Sequence, residues 1–191
     1  MEKLKQRILS EGKNLGNGIL KIDSVINHQV DSTLMLEAGA EFARRFADTR
    51  PTRILTAEVS GIIPAMATAY AMGVPFVYAR KHKPVTMQEP VFVEFAPSHT
   101  KGGTVSLMVS PEFLAAEDRV LIIDDFLATG NTIAAMARII ESAGATLVGI
   151  GTLVEKSFET GRAALAHLNV PIESLVIIEA MSDDGRIQIR A

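Results

Sequence analysis

Short runs of branched apolar residues alternate with stretches of helical spacing along most of this 191-residue chain. Runs rich in Val, Ile and Leu are typical of parallel strands buried on both faces, and the stretches between them are typical of connecting helices. The pattern predicts strands at residues 53–57, 75–79, 104–109, 120–123, 146–154 and 174–180. It therefore predicts an α/β fold with a mostly parallel central sheet flanked by helices.

The helical stretches carry start and stop signals that place them between these strands. Helices are predicted at residues 2–13, from a cap at Asp31, at 62–72 with Pro64 in the first turn, at 132–143 and at 156–167. A turn at Gly16, Asn17 and Gly18 ends the first helix, and residues 18–30 are interpreted as a short extended segment. Without a repeat or a linker-like run, residues 1–191 are predicted to form a single domain.

Composition and charge exclude several classes of protein. An apolar fraction of 48% and a charged fraction of 21% are those of a globular protein. A net charge of -3 with scattered lysines and arginines does not indicate a nucleic-acid partner. The uncharged run at residues 61–79 is interrupted by Gly73, Val74 and Pro75, which predicts two buried elements and no membrane partner. The absence of cysteine suits a reducing compartment, and we expect a cytoplasmic protein.

The motif VLIIDDFLATGNT at residues 120–132 leads from a buried strand through a small-residue turn into a helix. Backbone N–H groups and the positive end of the helix dipole converge at such a turn, which makes it a candidate phosphate site. Thr129 and Thr132 add hydroxyl groups, and Gly130 permits close approach of the backbone. The turn lacks the lysine of a nucleotide P-loop and the spaced glycines of a dinucleotide site.

The acid pair Asp124 and Asp125 precedes this turn, although carboxylates repel a phosphate. The conflict disappears if hydroxyls or a divalent cation lie between phosphate and acids, as in a sugar phosphate. On the turn alone, the alternative of a helix cap beside solvated carboxylates is supported about equally, but two acids at the end of a buried strand argue against it. A long basic segment at residues 80–103 is interpreted as irregular and suggests a lid over an anionic ligand.

The run VLIIDDFLATGNT resembles the 13-residue signature of the type I phosphoribosyltransferases. Over nearly the whole chain the resemblance is to the bacterial xanthine members of that family, and it includes GILKIDSVINHQVD, ARKHKP and LVEKSF. It implies a type I phosphoribosyltransferase fold with a small N-terminal hood at about residues 1–30 and a flexible loop at about residues 81–103.

The resemblance assigns roles for the sugar donor, 5-phosphoribosyl 1-pyrophosphate. Asp124 and Asp125 would hold the ribose hydroxyls, while Arg80 and Lys81 would neutralise the leaving pyrophosphate. Lys101 is a candidate to reach in from the flexible loop, although basic loop residues are more often solvated. The 5'-phosphate would be held by Ala128, Thr129, Gly130, Asn131 and Thr132, and the pyrophosphate loop would be Val59, Ser60 and Gly61.

The assignment for the base depends on fewer signals. Lys156 would bind the exocyclic oxygen of the purine and disfavour adenine, because a lysine only donates hydrogen bonds. Phe126 would pack on the purine face, or is a core phenylalanine. Leu20 and Asn27 correspond to hood positions that contact xanthine, and Asn27 is alternatively a turn residue.

The activity implied is conversion of xanthine and 5-phosphoribosyl 1-pyrophosphate to xanthosine 5'-monophosphate and pyrophosphate. Magnesium is expected to bind through the substrate's pyrophosphate and ribose, with no direct protein ligand, and a homodimer is expected. A guanine or hypoxanthine transferase is the nearest alternative. A non-catalytic regulator that senses the sugar donor is a further one, although repressors of this kind carry an additional N-terminal DNA-binding domain.

Overall fold

A computed structural model describes residues 1–97, 103–182 and 184–190 of the chain. The helices are α1 (Glu2–Glu11), α2 (Ser32–Arg45), α3 (Ile62–Met72), α4 (Asn131–Ser142) and α5 (Gly161–Leu165). The strands are β1 (Lys13–Asn14), β2 (Leu20–Lys21), β3 (Arg53–Ala57), β4 (Phe76–Ala79), β5 (Phe92–Pro97), β6 (Thr104–Val109), β7 (Arg119–Leu127), β8 (Thr146–Lys156), β9 (Ile172–Met181) and β10 (Ile187–Ile189).

The central sheet has the strand order β10, β9, β8, β7, β3, β4 within the described ranges. The pairs from β9 to β4 are parallel, and β10 alone is antiparallel to its neighbour β9. The prediction of a mostly parallel sheet flanked by helices is therefore confirmed. The chain crosses from β4 at one edge back to β7 in the middle, so the order of the strands reverses beside β7.

Alternate residues of β7 point into two separate hydrophobic cores. Leu121 and Ile123 pack in one core with Phe42 of α2, and Val120 and Ile122 pack in the other with helix α4. All four are completely buried, as expected for a strand that is covered on both faces. The prediction that Asp31 caps α2 is confirmed, because its Oδ1 accepts a hydrogen bond from the Leu34 N–H at 3.0 Å.

Strand β7 is longer than predicted, since it continues through both aspartates to Leu127. Its pairing with β3 ends at Ile122, opposite Leu55, whereas its pairing with β8 continues to Leu127. Adjacent carboxylates are unfavourable in strands, and so the sequence indicated an earlier end. The hydrogen bonds to β8 override that preference.

Two other predicted boundaries near the sheet are wrong. Strand β8 continues through Lys156, so the helix predicted at residues 156–167 begins only at Gly161 and ends in a 3-10 turn, Ala166–Leu168. The segment interpreted as irregular contains β5, which pairs antiparallel with β6 in a hairpin. Arg138 joins this hairpin to α4, because its side chain donates to Glu94 Oε2 at 2.7 Å and to the Phe95 carbonyl at 3.0 Å. Lys101 lies outside the described residues.

The N-terminal segment is also less extended than predicted. Helix α1 ends at Glu11, and the glycine turn at residues 16–18 instead joins β1 to β2. Within residues 18–30, which were predicted to be extended, Leu20–Lys21 alone forms a strand, and Asp23–Asn27 forms a wide helical turn with Val25 and Ile26 buried. Burial of these apolar residues outweighs the mixed polarity that suggested an extended chain. No helix of the described ranges is long and apolar enough to cross a membrane.

Helices α2 and α3 cross closely at Gly39, where a Cβ atom would lie 2.4 Å from the carbonyl carbon of Ala67. We expect Gly39→Ala to lower the free energy of unfolding by about 1–3 kcal/mol, because the methyl group forces the two helices apart. The loss would occur although alanine is the better helix former. Urea denaturation measures it, with Ala40→Gly on the exposed side of α2 as a control that costs about 1 kcal/mol through helix propensity alone. A Gly39→Ala protein of unchanged or greater stability would contradict the close crossing.

Candidate active site

A cavity of about 540 Å³ opens at the carboxyl ends of β7 and β8, where ligands bind in open α/β sheets. Its floor is formed by the end of β7 and the first turn of α4. Residues 15–27 line one side and the β5–β6 hairpin lines another. Strand ends, a helix N-terminus and two surrounding walls therefore converge on a single space.

The 128–132 turn brings backbone N–H groups to the cavity. Gly130 has a φ of 81°, which lets the chain turn from β7 directly into α4. No side chain in the described part of the chain caps the first turn of α4, and residues 128–133 all line the cavity. The first N–H groups of a helix lack partners within the helix and carry the positive end of its dipole. The turn therefore has the unpartnered N–H groups that a phosphate site needs, and phosphate binding there stays a prediction.

The acid pair lies beside this turn, with Asp124 6% exposed and Asp125 partly exposed. The Asp125 N–H donates to Asp124 Oδ1 at 3.0 Å, and the Phe126 N–H donates to Asp125 Oδ1 at 2.9 Å. Burial raises the pKa of Asp124 well above its usual range, and the charge of Asp125 raises it further. The positive charge of Lys81 opposes both effects.

Gly61, at the start of α3, packs directly against the acid pair. A Cβ atom there would lie 2.4 Å from Asp124 Oδ1 and 2.3 Å from the hydroxyl oxygen of Thr56, so a side chain at this position does not fit. Ser60, the residue before it, lines the cavity, while Val59 is 72% exposed and points away from it. The loop after β3 therefore contributes Ser60 to the cavity wall, and Gly61 of the same loop packs against the Asp124 carboxylate.

The residues after β4 are organised by the half-buried Glu58. Its Oε1 accepts a hydrogen bond from the Lys81 N–H at 2.6 Å, and its Oε2 lies 2.8 Å from Arg80 Nε. The Arg80 guanidinium also lies 5.6 Å from the centre of the Tyr78 ring. Lys81 lines the cavity and Arg80 does not, so only one member of the predicted cationic pair reaches the candidate site in this structure.

The opposite end of the cavity contains a buried lysine against an aromatic ring. Lys156 is 7% exposed, and its Nζ lies 5.3 Å from the centre of the Phe126 ring and 3.7 Å from Glu159 Oε1. Burial lowers the pKa of Lys156, and the negative charges of Glu159 and Asp125 oppose this effect. A flat apolar surface beside a hydrogen-bond donor suits a planar heterocycle that carries an acceptor.

Comparison with known proteins agrees with this geometry. Residues 31–183 match the family model described as the phosphoribosyl transferase domain. The chain belongs to this family. It is 51% identical to a xanthine phosphoribosyltransferase of Deinococcus deserti over 100% of this chain and 99% of the relative. It is 48% identical to a xanthine phosphoribosyltransferase of Brevibacillus brevis, over 97% of this chain and 94% of that one.

The fold is also similar to that of solved phosphoribosyltransferases. An adenine phosphoribosyltransferase of Thermoanaerobacter pseudethanolicus superposes with a TM-score of 0.76 at 27% identity, and the match covers 91% of this chain and 99% of that one. The expected type I phosphoribosyltransferase fold is therefore confirmed.

Most of the predicted site residues of this phosphoribosyltransferase lie around one cavity. Val59, Gly61 and Arg80 are the exceptions, for the reasons given above. The predicted residues that line the cavity are Leu20, Asn27, Ser60, Lys81, Asp124, Asp125, Phe126, Ala128, Thr129, Gly130, Asn131, Thr132 and Lys156.

Sequence reasoning missed several residues that line the walls of the cavity. Lys21 and Asp23, which form an ion pair, lie on the N-terminal side, and Ala96 and Leu107 lie on the hairpin side. The alternating pattern of FVEFAP at residues 92–97 was the signal for the hairpin strand. The residues on either side of this short run lack periodicity, so the whole segment is interpreted as irregular from its sequence.

The raised pKa of Asp124 predicts an unusual dependence of stability on pH. A folded state with a raised carboxyl pKa binds its proton more tightly than the unfolded state, so its stability falls as pH rises from the usual value of 3.8 through the folded pKa. Asp124 therefore makes the ligand-free protein less stable at neutral pH than a neutral side chain of the same shape would. We expect Asp124→Asn to raise the free energy of unfolding there by about 0.5–2 kcal/mol, with the gain disappearing near pH 3.8.

Urea denaturation at the two pH values measures this effect, and Asp118→Asn is a matched control of opposite sign. Asp118 is also buried, but the Ala115 N–H at 3.0 Å and Arg53 Nε at 2.8 Å bind it and its pKa is lowered. Its replacement should cost stability at neutral pH. A loss of stability in Asp124→Asn at neutral pH would contradict the raised pKa.

Proposed function

We propose that this phosphoribosyltransferase converts xanthine and 5-phosphoribosyl 1-pyrophosphate to xanthosine 5'-monophosphate and pyrophosphate, a purine salvage reaction. One observation carries the proposal. A single cavity combines the 128–132 turn, the acid pair Asp124 and Asp125, and the buried Lys156 beside Phe126. The relatives at 51% and 48% identity, which bear the name xanthine phosphoribosyltransferase, support the choice of base.

The sugar donor fits across the floor of the cavity. The N–H groups of the first turn of α4 and the hydroxyls of Thr129 and Thr132 bind its 5'-phosphate. Asp124 and Asp125 accept hydrogen bonds from the ribose hydroxyls, which keeps the acids away from the phosphate. Ser60 and Lys81, on the loops after β3 and β4, bind the pyrophosphate, with Val59 and Gly61 shaping that loop.

In the reaction a purine ring nitrogen forms a bond to C1' of the ribose as the bond from C1' to the pyrophosphate oxygen breaks. The base supplies the electron pair, and its ring proton passes to the departing pyrophosphate or to water, so no protein nucleophile is required. The protein contributes positioning, exclusion of water and charge stabilisation. The acid pair favours the positive charge that develops on the ribose. Lys81 favours the negative charge on the leaving group, and Arg80 acts with it by holding Glu58.

A magnesium ion would bind through the substrate, with no direct protein ligand. No group of three or more His, Cys, Asp or Glu side chains among the described residues forms a metal site, whereas Mg²⁺ needs near-octahedral oxygen ligands. The pyrophosphate and ribose oxygens of the sugar donor, together with water, would supply these ligands, and the negative charge of Asp124 and Asp125 beside the ribose would favour the ion's position. When bound, the ion neutralises negative charge on the leaving pyrophosphate.

The base fits between Phe126 and the N-terminal wall. Lys156 donates a hydrogen bond to an exocyclic oxygen, which favours 6-oxopurines over adenine. Leu20 packs on the base, and the exposed Asn27 can donate to and accept from its edge. Guanine and hypoxanthine carry the same exocyclic oxygen, and so a guanine or hypoxanthine transferase is the second candidate. A non-catalytic sensor of the sugar donor is a third.

The setting of the reaction is also part of the proposal. We propose that the enzyme is a cytoplasmic homodimer with neither nucleic acid nor membrane as a partner. The family resemblance supports the dimer. Within each subunit, we propose that the N-terminal hood and the loop at residues 81–103 belong to the same single domain as the cavity. The net charge of -3 supports a small-molecule partner over nucleic acid.

Initial rates with xanthine, guanine, hypoxanthine and adenine, each with 5-phosphoribosyl 1-pyrophosphate and magnesium, test the proposal. We expect the highest kcat/KM with xanthine and none above background with adenine. A preference for guanine or hypoxanthine would move the assignment to the second candidate. Binding of the sugar donor without turnover of any base would support the sensor.

The role of Lys156 predicts a selective defect. Lys156→Ala should raise the KM for the base about 10- to 100-fold, the cost of losing one buried hydrogen bond to an oxygen, while the KM for the sugar donor changes little. Steady-state kinetics with each substrate varied in turn separate the two constants. Lys3→Ala, which removes an exposed lysine of α1, is the control and should change neither. An equal increase in both constants would contradict a role in base binding.

A further inference from the structure

An ion pair between the buried Glu155 and the partly exposed Arg162 joins the end of β8 to α5, outside the cavity. Arg162 donates from Nε to Glu155 Oε1 at 2.8 Å and from Nη2 to Glu155 Oε2 at 2.6 Å, which is the bidentate geometry of a strong pair. The Glu155 side chain is 3% exposed. Neither residue lines the cavity, and the reaction as derived above uses neither.

Neighbouring groups hold this ion pair on both sides. The Ser174 hydroxyl donates to Glu155 Oε2 at 2.7 Å, and Arg162 Nη1 donates to the carbonyl of Ile172 in β9 at 3.1 Å. Burial alone would raise the pKa of Glu155, but the hydrogen bonds from Arg162 and Ser174 lower it. The carboxylate is therefore ionised and fixed, and Arg162 is tied to two strands.

The residue before Arg162 contacts the 128–132 turn directly. The Gly161 N–H donates to the Ala128 carbonyl at 2.8 Å. A Cβ atom on Gly161 would lie 2.3 Å from that same oxygen, and one on Gly130 would lie 3.2 Å from the Cα of Gly161. Two glycines thus let α5 pack against the turn at backbone distance, so a shift of α5 moves the turn with it.

We propose that the Glu155–Arg162 ion pair is a positioning device that holds α5 against the 128–132 turn and so sets the affinity for the 5'-phosphate of the sugar donor. The inference rests on the proposed function, because it takes that turn as the phosphate site. Glu155 and Arg162 are positioning residues, since they act on the substrate only through Gly161 and Ala128.

The effect on the two substrates is expected to differ. Lys156, at the base end, is held by sheet pairing with Ile178 of β9 and does not depend on α5. The 128–132 turn lies beyond the last residue of β7 and has α5 as its neighbour. Loss of the ion pair should therefore weaken binding of the sugar donor and leave binding of the base unchanged.

Glu155→Gln is the first test, because it keeps the shape and the Ser174 contact while removing the charge. It should raise the KM for 5-phosphoribosyl 1-pyrophosphate and the Kd of ribose 5-phosphate roughly tenfold. A shift of about 1 Å in the groups that position a substrate can lower activity by up to about a hundredfold, and the expected shift of the turn is smaller. The kcat and the KM for xanthine should stay within about twofold. Arg162→Lys, which keeps the charge but loses the bidentate fork, should fall between wild type and Glu155→Gln.

A second variant and a control separate positioning from general loosening. Gly161→Ala places a methyl group against the Ala128 carbonyl and should produce the same selective defect with the ion pair intact. Glu37→Gln on α2 breaks an exposed pair with Lys3 of α1 without touching α5. It should change neither substrate constant. Equal losses for both substrates in Glu155→Gln, or no loss, would overturn the proposal.

Amide hydrogen exchange provides a readout that does not depend on activity. The Gly161 amide should exchange faster in Glu155→Gln than in wild type, because its bond to Ala128 opens more often. An unchanged exchange rate of the Gly161 amide would overturn the positioning role, whichever base the enzyme uses as a substrate. Failure of the wild-type protein to use any base would instead overturn the proposed function, so the two failures are distinguishable.

Discussion

The candidate site depends on one feature of the sheet, the pairing of β7 with β8 beyond the point where β3 stops. Because β8 continues to pair through Leu127, the chain stays extended across Asp124 and Asp125. Because β3 pairs with β7 only as far as Ile122, the edge of β7 beyond that residue contacts the loop between β3 and α3 instead. Gly61 occupies that position against Asp124, and the cavity opens in front of it.

This arrangement has an energetic cost that is concentrated at Asp124. A carboxylate that is 6% exposed and adjacent to a second carboxylate is unfavourable without a ligand, and its raised pKa expresses that cost. The two hydrophobic cores on either side of β7 can tolerate it, since Leu121, Ile122 and Ile123 immediately before it are fully buried. In the proposed function, hydroxyl groups of a bound sugar would donate to both carboxylates and reduce this cost, which would favour ligand binding over stability of the empty protein.

The central sheet and the 128–132 turn could be predicted from the sequence because both depend on local signals. Branched apolar runs define buried strands, and a small-residue turn before a helix defines an anion site. The end of β7 could not be predicted in this way, because β8 supplies the pairing that holds Asp124 extended. The same is true of the wide turn at Asp23–Asn27 and of Arg80, whose direction is set by Glu58, 22 positions earlier in the chain.

The proposed donor end and the proposed base end of the cavity also differ in how they are built. The proposed donor end combines backbone N–H groups at the start of α4 with side chains at the end of β7 and on the loops after β3 and β4, so its geometry follows largely from the central sheet. The base end consists of single side chains, and Leu20 and Asn27 belong to a segment outside the central sheet. Substitution there changes which groups meet the base without disturbing strand pairing. A protein named as an adenine phosphoribosyltransferase shares the fold at a TM-score of 0.76, which agrees with this division. The VLIIDDFLATGNT motif therefore identifies the family, whereas we expect the choice of base to depend on a few side chains around it.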